Sequence, residues 1–206
     1  MVKVSERVAS ISPSMTLAIS AKANELKAAG EKVINFGVGE PDFNTPAHIV
    51  QAAKDALDKG YTKYVAAAGL PALKKAIAKK LKADNNLDYD PSQIIVSNGA
   101  KHSIFNALFA TVNPGDEVLI PKPYWLTYPE VVKSCGGVPV FVMAKARHGY
   151  KLTAGQIESM ITPRTKMLIF NSPCNPTGAV YTEKEIREIA EVCERHDLLV
   201  LSDEIY

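Results

Sequence analysis

Through Leu81 the apolar positions mostly recur at helical spacing, and from Ile94 onward they gather into short continuous runs. Ser14 is placed to cap a helix whose apolar positions include Leu17, Ile19 and Leu26, with Gly30 closing it. A short strand, Val33–Phe36, leads into the loop Gly37-Val38-Gly39-Glu40-Pro41-Asp42-Phe43. Thr45 then caps a helix with Pro46 in its first turn, running through Ile49, Ala53 and Leu57 to Gly60. Leu73, Ile77 and Leu81 share one face of a further amphipathic helix.

Beyond this point the pattern predicts alternating strands and helices. Runs at Ile94–Val96, Val118–Ile120, Val138–Val142, Met167–Phe170 and Leu198–Leu201 are short, apolar and bounded by turn residues, as in strands buried on both faces. Thr153-x-x-Gln156 and Thr182-x-x-Glu185 are capping boxes and mark two helix starts. Such alternation implies an α/β fold with a mainly parallel, doubly wound sheet. Ligands of these sheets bind outside the carboxyl ends of the strands, so the residues there carry the functional reading.

Composition narrows the partners. A net charge of +2 over 206 residues gives no basic surface for nucleic acid. No stretch approaches the ~20 apolar residues of a membrane helix. Ser10, Ser12, Pro13 and Ser14 interrupt any leader-like apolar run. Cys135, Cys174 and Cys193 form an odd, scattered set that fits reduced thiols, and a cytoplasmic protein is expected. His48, His102, His148 and His196 are dispersed without metal-ligand spacing.

Each strand end admits two readings. Ser97-Asn98-Gly99-Ala100-Lys101 is either a tight turn or a phosphate cradle at a helix N-terminus. In Pro121-Lys122-Pro123-Tyr124-Trp125, the single tryptophan is either core or a surface for stacking an aromatic ring. The loop Asn171-Ser172-Pro173-Cys174-Asn175-Pro176-Thr177-Gly178 is turn chemistry, or it presents two asparagines to a phenolic oxygen or carboxylate. In Ser202-Asp203-Glu204-Ile205-Tyr206, Asp203 caps a helix or meets a cation or hydrogen-bond donors, because an unpartnered buried aspartate is costly. A Walker-B role for it needs a G-x-x-x-x-G-K-[ST] loop, and the chain has none.

Together with Pro13-Ser14-Met15-Thr16, Gly39-Glu40-Pro41-Asp42 and Lys63-Tyr64, these motifs run over essentially the whole chain. In their order and spacing the sequence resembles the class I aminotransferases of pyridoxal phosphate fold type I, and within them the bacterial-type aspartate aminotransferases. The resemblance implies an incomplete large cofactor-binding domain over residues 46–206, and an N-terminal arm with part of a small domain over 1–45.

It also implies roles for the matching residues. Asp203 would pair with the pyridine nitrogen of pyridoxal 5'-phosphate, Trp125 would stack on the ring, and Asn175 and Tyr206 would bond its phenolic oxygen. Gly99, Ala100 and Lys101 would hold the phosphate, with Tyr64 reaching that of a partner subunit in a homodimer. For the substrate, the resemblance implies the backbone at Gly39, Lys101 on a distal carboxylate, and Thr16, Trp125 and Asn175 beside it. Cys174 departs from the usual loop and reads as a structural thiol.

The Schiff-base lysine and the arginine for the α-carboxylate would lie beyond Tyr206. These 206 residues alone are accordingly expected to be inactive and poorly stable. The implied reaction of the longer parent is transamination between a dicarboxylic amino acid such as aspartate and 2-oxoglutarate. Alternatives are an aminotransferase for prephenate, alanine or aromatic amino acids, a pyridoxal-phosphate-dependent β-lyase, or a non-catalytic cofactor-binding or dimer-forming fragment. A dinucleotide-binding oxidoreductase, prompted by Gly37-Val38-Gly39, is a further alternative with a weak match. Asp42 stands in place of the third glycine and Pro41 sits inside the would-be helix start, and NADH titration would settle it.

Overall fold

Unbroken apolar runs between turn residues become the strands of a parallel sheet in the computed structural model, which describes residues 3–37 and 39–206. Val38, in the Gly37-Val38-Gly39 segment, lies outside the described residues. In chain order the elements are α1 (Glu6–Ala9), α2 (Met15–Ala28), α3 (Ala47–Asp58), α4 (Pro71–Asn85), α5 (Ala100–Thr111), β1 (Glu117–Lys122), α6 (Thr127–Ser134), β2 (Val138–Met143), α7 (Ala154–Glu158), β3 (Thr165–Asn171), α8 (Glu183–Arg195) and β4 (Leu199–Asp203). The chain divides into two compact units, Met1–Ser12 with Asn98–Tyr206, and Pro13–Ser97.

The first unit holds a four-stranded sheet in the order β2-β1-β3-β4, with every neighbouring pair parallel. Successive side chains of a strand face opposite ways, and here both faces are covered. Val118 and Ile120 of β1 and Met167 and Ile169 of β3 pack with Ile104 and Leu108 of α5 and Val132 of α6. Leu119 of β1 and Leu168 and Phe170 of β3 join Ile157 of α7 and Ile189 and Val192 of α8 in a second layer. The doubly wound α/β architecture therefore stands as expected.

The register between β1 and β3 steps at their start: Glu117 faces Thr165, but Val118 faces Met167, so Lys166 is an extra residue. Glu117 is buried there and fully engaged. Its carboxylate accepts hydrogen bonds from Thr162 Oγ1 at 2.6 Å and Thr165 Oγ1 at 3.3 Å, and from Arg164 Nη2 and Nε at 2.6 and 3.1 Å. The Thr162 bond leads these contacts in holding its carboxyl below the ordinary glutamate value.

Both capping boxes form. Thr153 Oγ1 accepts from the Gln156 amide at the start of α7, and Thr182 Oγ1 from that of Glu185 at the start of α8.

In the Pro13–Ser97 unit, Ser14 caps α2 as predicted, and Gly30 follows its end with φ +87°. Thr45 does not cap α3. Pro46 occupies that position with extended ψ of 140°, so the helix starts one residue later without a side-chain cap.

Two predicted strands are also absent. Val33–Phe36 and Ile94–Val96 adopt no strand, because a strand is defined by its pairing and neither run has a neighbouring ladder among the described residues. Phe36 is 93% exposed, and the Val96 amide donates to the Ala68 carbonyl instead. Leu199 and Val200 of β4 were expected to be buried but are about half exposed, since β4 ends the sheet among the described residues.

Candidate active site

The carboxyl ends of β1, β3 and β4 open on a cavity of about 220 Å³. It is lined by Ala100, Trp125, Tyr128, Asn171, Asn175, Asp203, Ile205 and Tyr206. Five of the residues singled out from the sequence, Ala100, Trp125, Asn175, Asp203 and Tyr206, thus share one space. Lys101 is adjacent, its Nζ 5.3 Å from the centroid of the Trp125 ring.

Gly99 is the N-cap of α5 and forms the turn beside Ala100. Its φ of +83° and ψ of 164° fall in a region open essentially to glycine alone. A Cβ there would meet no atom within 4 Å, so the backbone conformation requires the glycine and crowding does not. No side chain caps α5. The first-turn amides of this helix, with the positive end of its dipole, are therefore suited to an anion.

Asp203 ends β4 at 9% exposure. Its Oδ2 accepts a hydrogen bond from Tyr128 Oη at 2.6 Å, and its Oδ1 accepts from the Ile205 amide at 3.3 Å. Among the described residues, no lysine, arginine or histidine forms an ion pair with it. Burial, followed by the hydrogen bond to Asp203 and its charge, pushes the Tyr128 phenol well above its ordinary range and keeps it a donor.

The two asparagines of the 171–178 loop differ in employment. Asn171 spends both ends of its amide inside the protein: Nδ2 donates to the Asp203 carbonyl at 2.9 Å, and Oδ1 accepts from the Asn175 amide at 2.8 Å. Asn175 is positioned by that second bond at the cavity wall. Cys174 is a free thiol 3.9 Å from the Pro123 carbonyl oxygen, beside a smaller void of about 20 Å³.

Thr16, Gly39 and Tyr64 are not among the lining residues. They belong to the Pro13–Ser97 unit, where Tyr64 is fully exposed. Tyr128 was not singled out from the sequence. Its signal was its place three residues after Trp125 in the α6 region, one helical turn along, which stands its ring edge-to-face with Trp125 at 5.5 Å and 84°.

Residues 31–206 match the family described as aminotransferase class I and II. The chain is 53% identical over 204 residues to an aspartate aminotransferase of Geobacillus stearothermophilus, covering 99% of this chain and 52% of that protein. It is 52% identical over 207 residues to an aspartate/prephenate aminotransferase of Cereibacter sphaeroides, again spanning 52% of it. The aspartate aminotransferase of Thermus thermophilus solved with maleate superposes with a TM-score of 0.96 at 44% identity, covering 100% of this chain and 54% of that one. The chain thus spans about half the length of the curated relatives it matches. With a parallel α/β sheet that superposes on these enzymes and a match over residues 31–206, the chain belongs to the class I and II aminotransferases, a family that works with pyridoxal phosphate.

Proposed function

We propose that the cavity at the strand ends holds pyridoxal 5'-phosphate, and that the parent enzyme transfers the amino group of aspartate or another dicarboxylic amino acid to 2-oxoglutarate. The observation that carries the reading is Asp203, a buried carboxylate without a cationic side-chain partner among the described residues, in the same cavity as the uncapped start of α5. A buried carboxylate gains from a cation beyond its hydrogen bonds, and a helix start favours an anion. Pyridoxal phosphate has a protonatable ring nitrogen at one end and a phosphate at the other, so the donor set fits it.

In this reading Asp203 holds the ring nitrogen, Trp125 stacks on the ring, and Asn175 and Tyr206 donate to its phenolic oxygen. The backbone at Gly99, Ala100 and Lys101 binds the phosphate, and Tyr64 serves the phosphate of a partner subunit in a homodimer. Gly39 contributes backbone to the substrate, Lys101 meets its distal carboxylate, and Thr16, Trp125 and Asn175 complete the pocket. When bound, the cofactor supplies the electron sink for the α-proton's departure. Residues 1–45 belong, in this reading, to the arm and small domain, residues 46–206 to the large domain, and the enzyme works in the cytoplasm.

In this reading these 206 residues are inactive on their own. Titration of the chain with pyridoxal phosphate tests the binding, with the single tryptophan as reporter. Saturable quenching that Asp203→Ala weakens at least tenfold is expected; an absence of quenching overturns the reading. A chimaera carrying the remaining half of the Geobacillus stearothermophilus relative is expected to turn over aspartate with 2-oxoglutarate. Release of pyruvate and ammonia in its place would mark a β-lyase.

A further inference from the structure

Gripping a ligand does not account for the hydrogen bond from Tyr128 to Asp203. Tyr128 is 3% exposed, sits in the first turn of α6 and lends its ring edge to Trp125. Its hydroxyl takes up Oδ2 of Asp203 at 2.6 Å, while the Ile205 amide bonds Oδ1 more loosely at 3.3 Å. Ser202, the neighbouring hydroxyl, is engaged by Glu204 at 2.8 Å and leaves Asp203 alone. The carboxylate therefore has one short, charge-assisted anchor, and that anchor comes from a side chain fixed by its own burial.

We propose that Tyr128 is a positioning residue for the cofactor's ring nitrogen, acting through Asp203. Without its hydroxyl, the carboxylate turns about its last side-chain bond and loses the donor that offsets its desolvation. A ligand approaching with a ring N–H then meets a less ordered acceptor. Because Tyr128 also abuts Trp125, one side chain sets both the in-plane anchor and the stacking surface. The inference rests on the proposed cofactor reading.

Two probes separate positioning from packing. 4'-Deoxypyridoxine 5'-phosphate keeps the ring nitrogen and phosphate but has no aldehyde to react with surface lysines. Its 1-deaza counterpart replaces the ring nitrogen by C–H. Calorimetric titration of the chain and of Tyr128→Phe is expected to show about tenfold weaker binding of the nitrogen-bearing compound to the variant, the scale of one lost hydrogen bond to a charged group. The deaza compound is expected to change less than twofold. In the Asp203→Asn background, Tyr128→Phe is expected to add nothing.

Equal weakening of both compounds would make Tyr128 mere packing and overturn the proposal. So would an unchanged affinity for both while the unsubstituted chain binds normally. Failure of the unsubstituted chain to bind either compound would overturn the cofactor reading and the proposal together. A partly unfolded variant depresses both titrations alike, so the ratio between compounds stays interpretable.

Discussion

Asn171 and Asp203 stand opposite one another in the parallel register of β3 and β4, and the side-chain amide of the first donates to the backbone carbonyl of the second at 2.9 Å. The same amide, through its oxygen, accepts from the Asn175 backbone at 2.8 Å. One buried residue thus holds together the last position of β4 and the loop after β3, and two proposed cofactor contacts depend on it. Asn171→Ala is expected to cost about 2 kcal/mol in urea unfolding, since it strands a buried carbonyl and a loop amide. It should also weaken pyridoxal phosphate binding, because the Asn175 amide and the end of β4 lose their shared anchor.

Gly99→Ala tests the start of α5 by a different route. Open space surrounds the missing Cβ, so any cost comes from forcing φ of +83° on a residue with a side chain. A destabilisation of about 1–3 kcal/mol is expected from the strain. If the backbone relaxes instead, the first-turn amides of α5 reorient and phosphate affinity falls. Thermal unfolding measured with and without inorganic phosphate distinguishes the two.

Lys101 is expected to govern substrate choice. In the chimaera proposed above, Lys101→Gln should lower kcat/KM for aspartate by about tenfold or more, the scale of one lost charge-assisted hydrogen bond, and leave that for phenylalanine nearly unchanged. Equal losses on both substrates would assign the lysine to the fold or the cofactor.

The Lys151–Glu185 pair gives a pH prediction. Glu185 is pushed down to about 2 from an ordinary 4.5, first by the hydrogen bond from Lys151 and then by the Thr182 amide. Its depressed value means that its contribution is complete above the ordinary glutamate range and fades as pH falls toward 2. The side chains are partly exposed, which limits the effect to about 1 kcal/mol. Glu185→Gln should therefore be less stable by that amount near pH 7 in urea titrations, and the gap should close progressively below pH 4.5.

Much of the sheet was legible because β1 and β3 are buried on both faces and so read as unbroken apolar runs. The boxes at Thr153 and Thr182 were legible because capping is a local contact across three residues. Val33–Phe36 and Ile94–Val96 misled for the converse reason: apolar character measures a demand for burial, while strand structure depends on a neighbour elsewhere in the chain. The cavity wall at Ala100, Trp125, Asn175, Asp203 and Tyr206 followed from the rule that ligands sit at strand ends. Tyr128 escaped because its partner is 75 residues away in sequence, and no local pattern links a helical tyrosine to a strand-end aspartate.

The extra residue at Lys166 governs how errors would spread through the sheet. Because side chains alternate, the insertion sets the parity of β3: Thr165 can reach Glu117, and Met167 still falls in phase with Val118. A deletion there would force a choice between the Glu117 fastening and the two apolar layers, and the layers bury far more. Keeping them in phase would shift the mismatch onto the polar anchor at the opposite end from Asn171 and Asp203. Lys166 is thus the place where the chain absorbs the difference between two incompatible rulers, one polar and one apolar, so that the far end stays true.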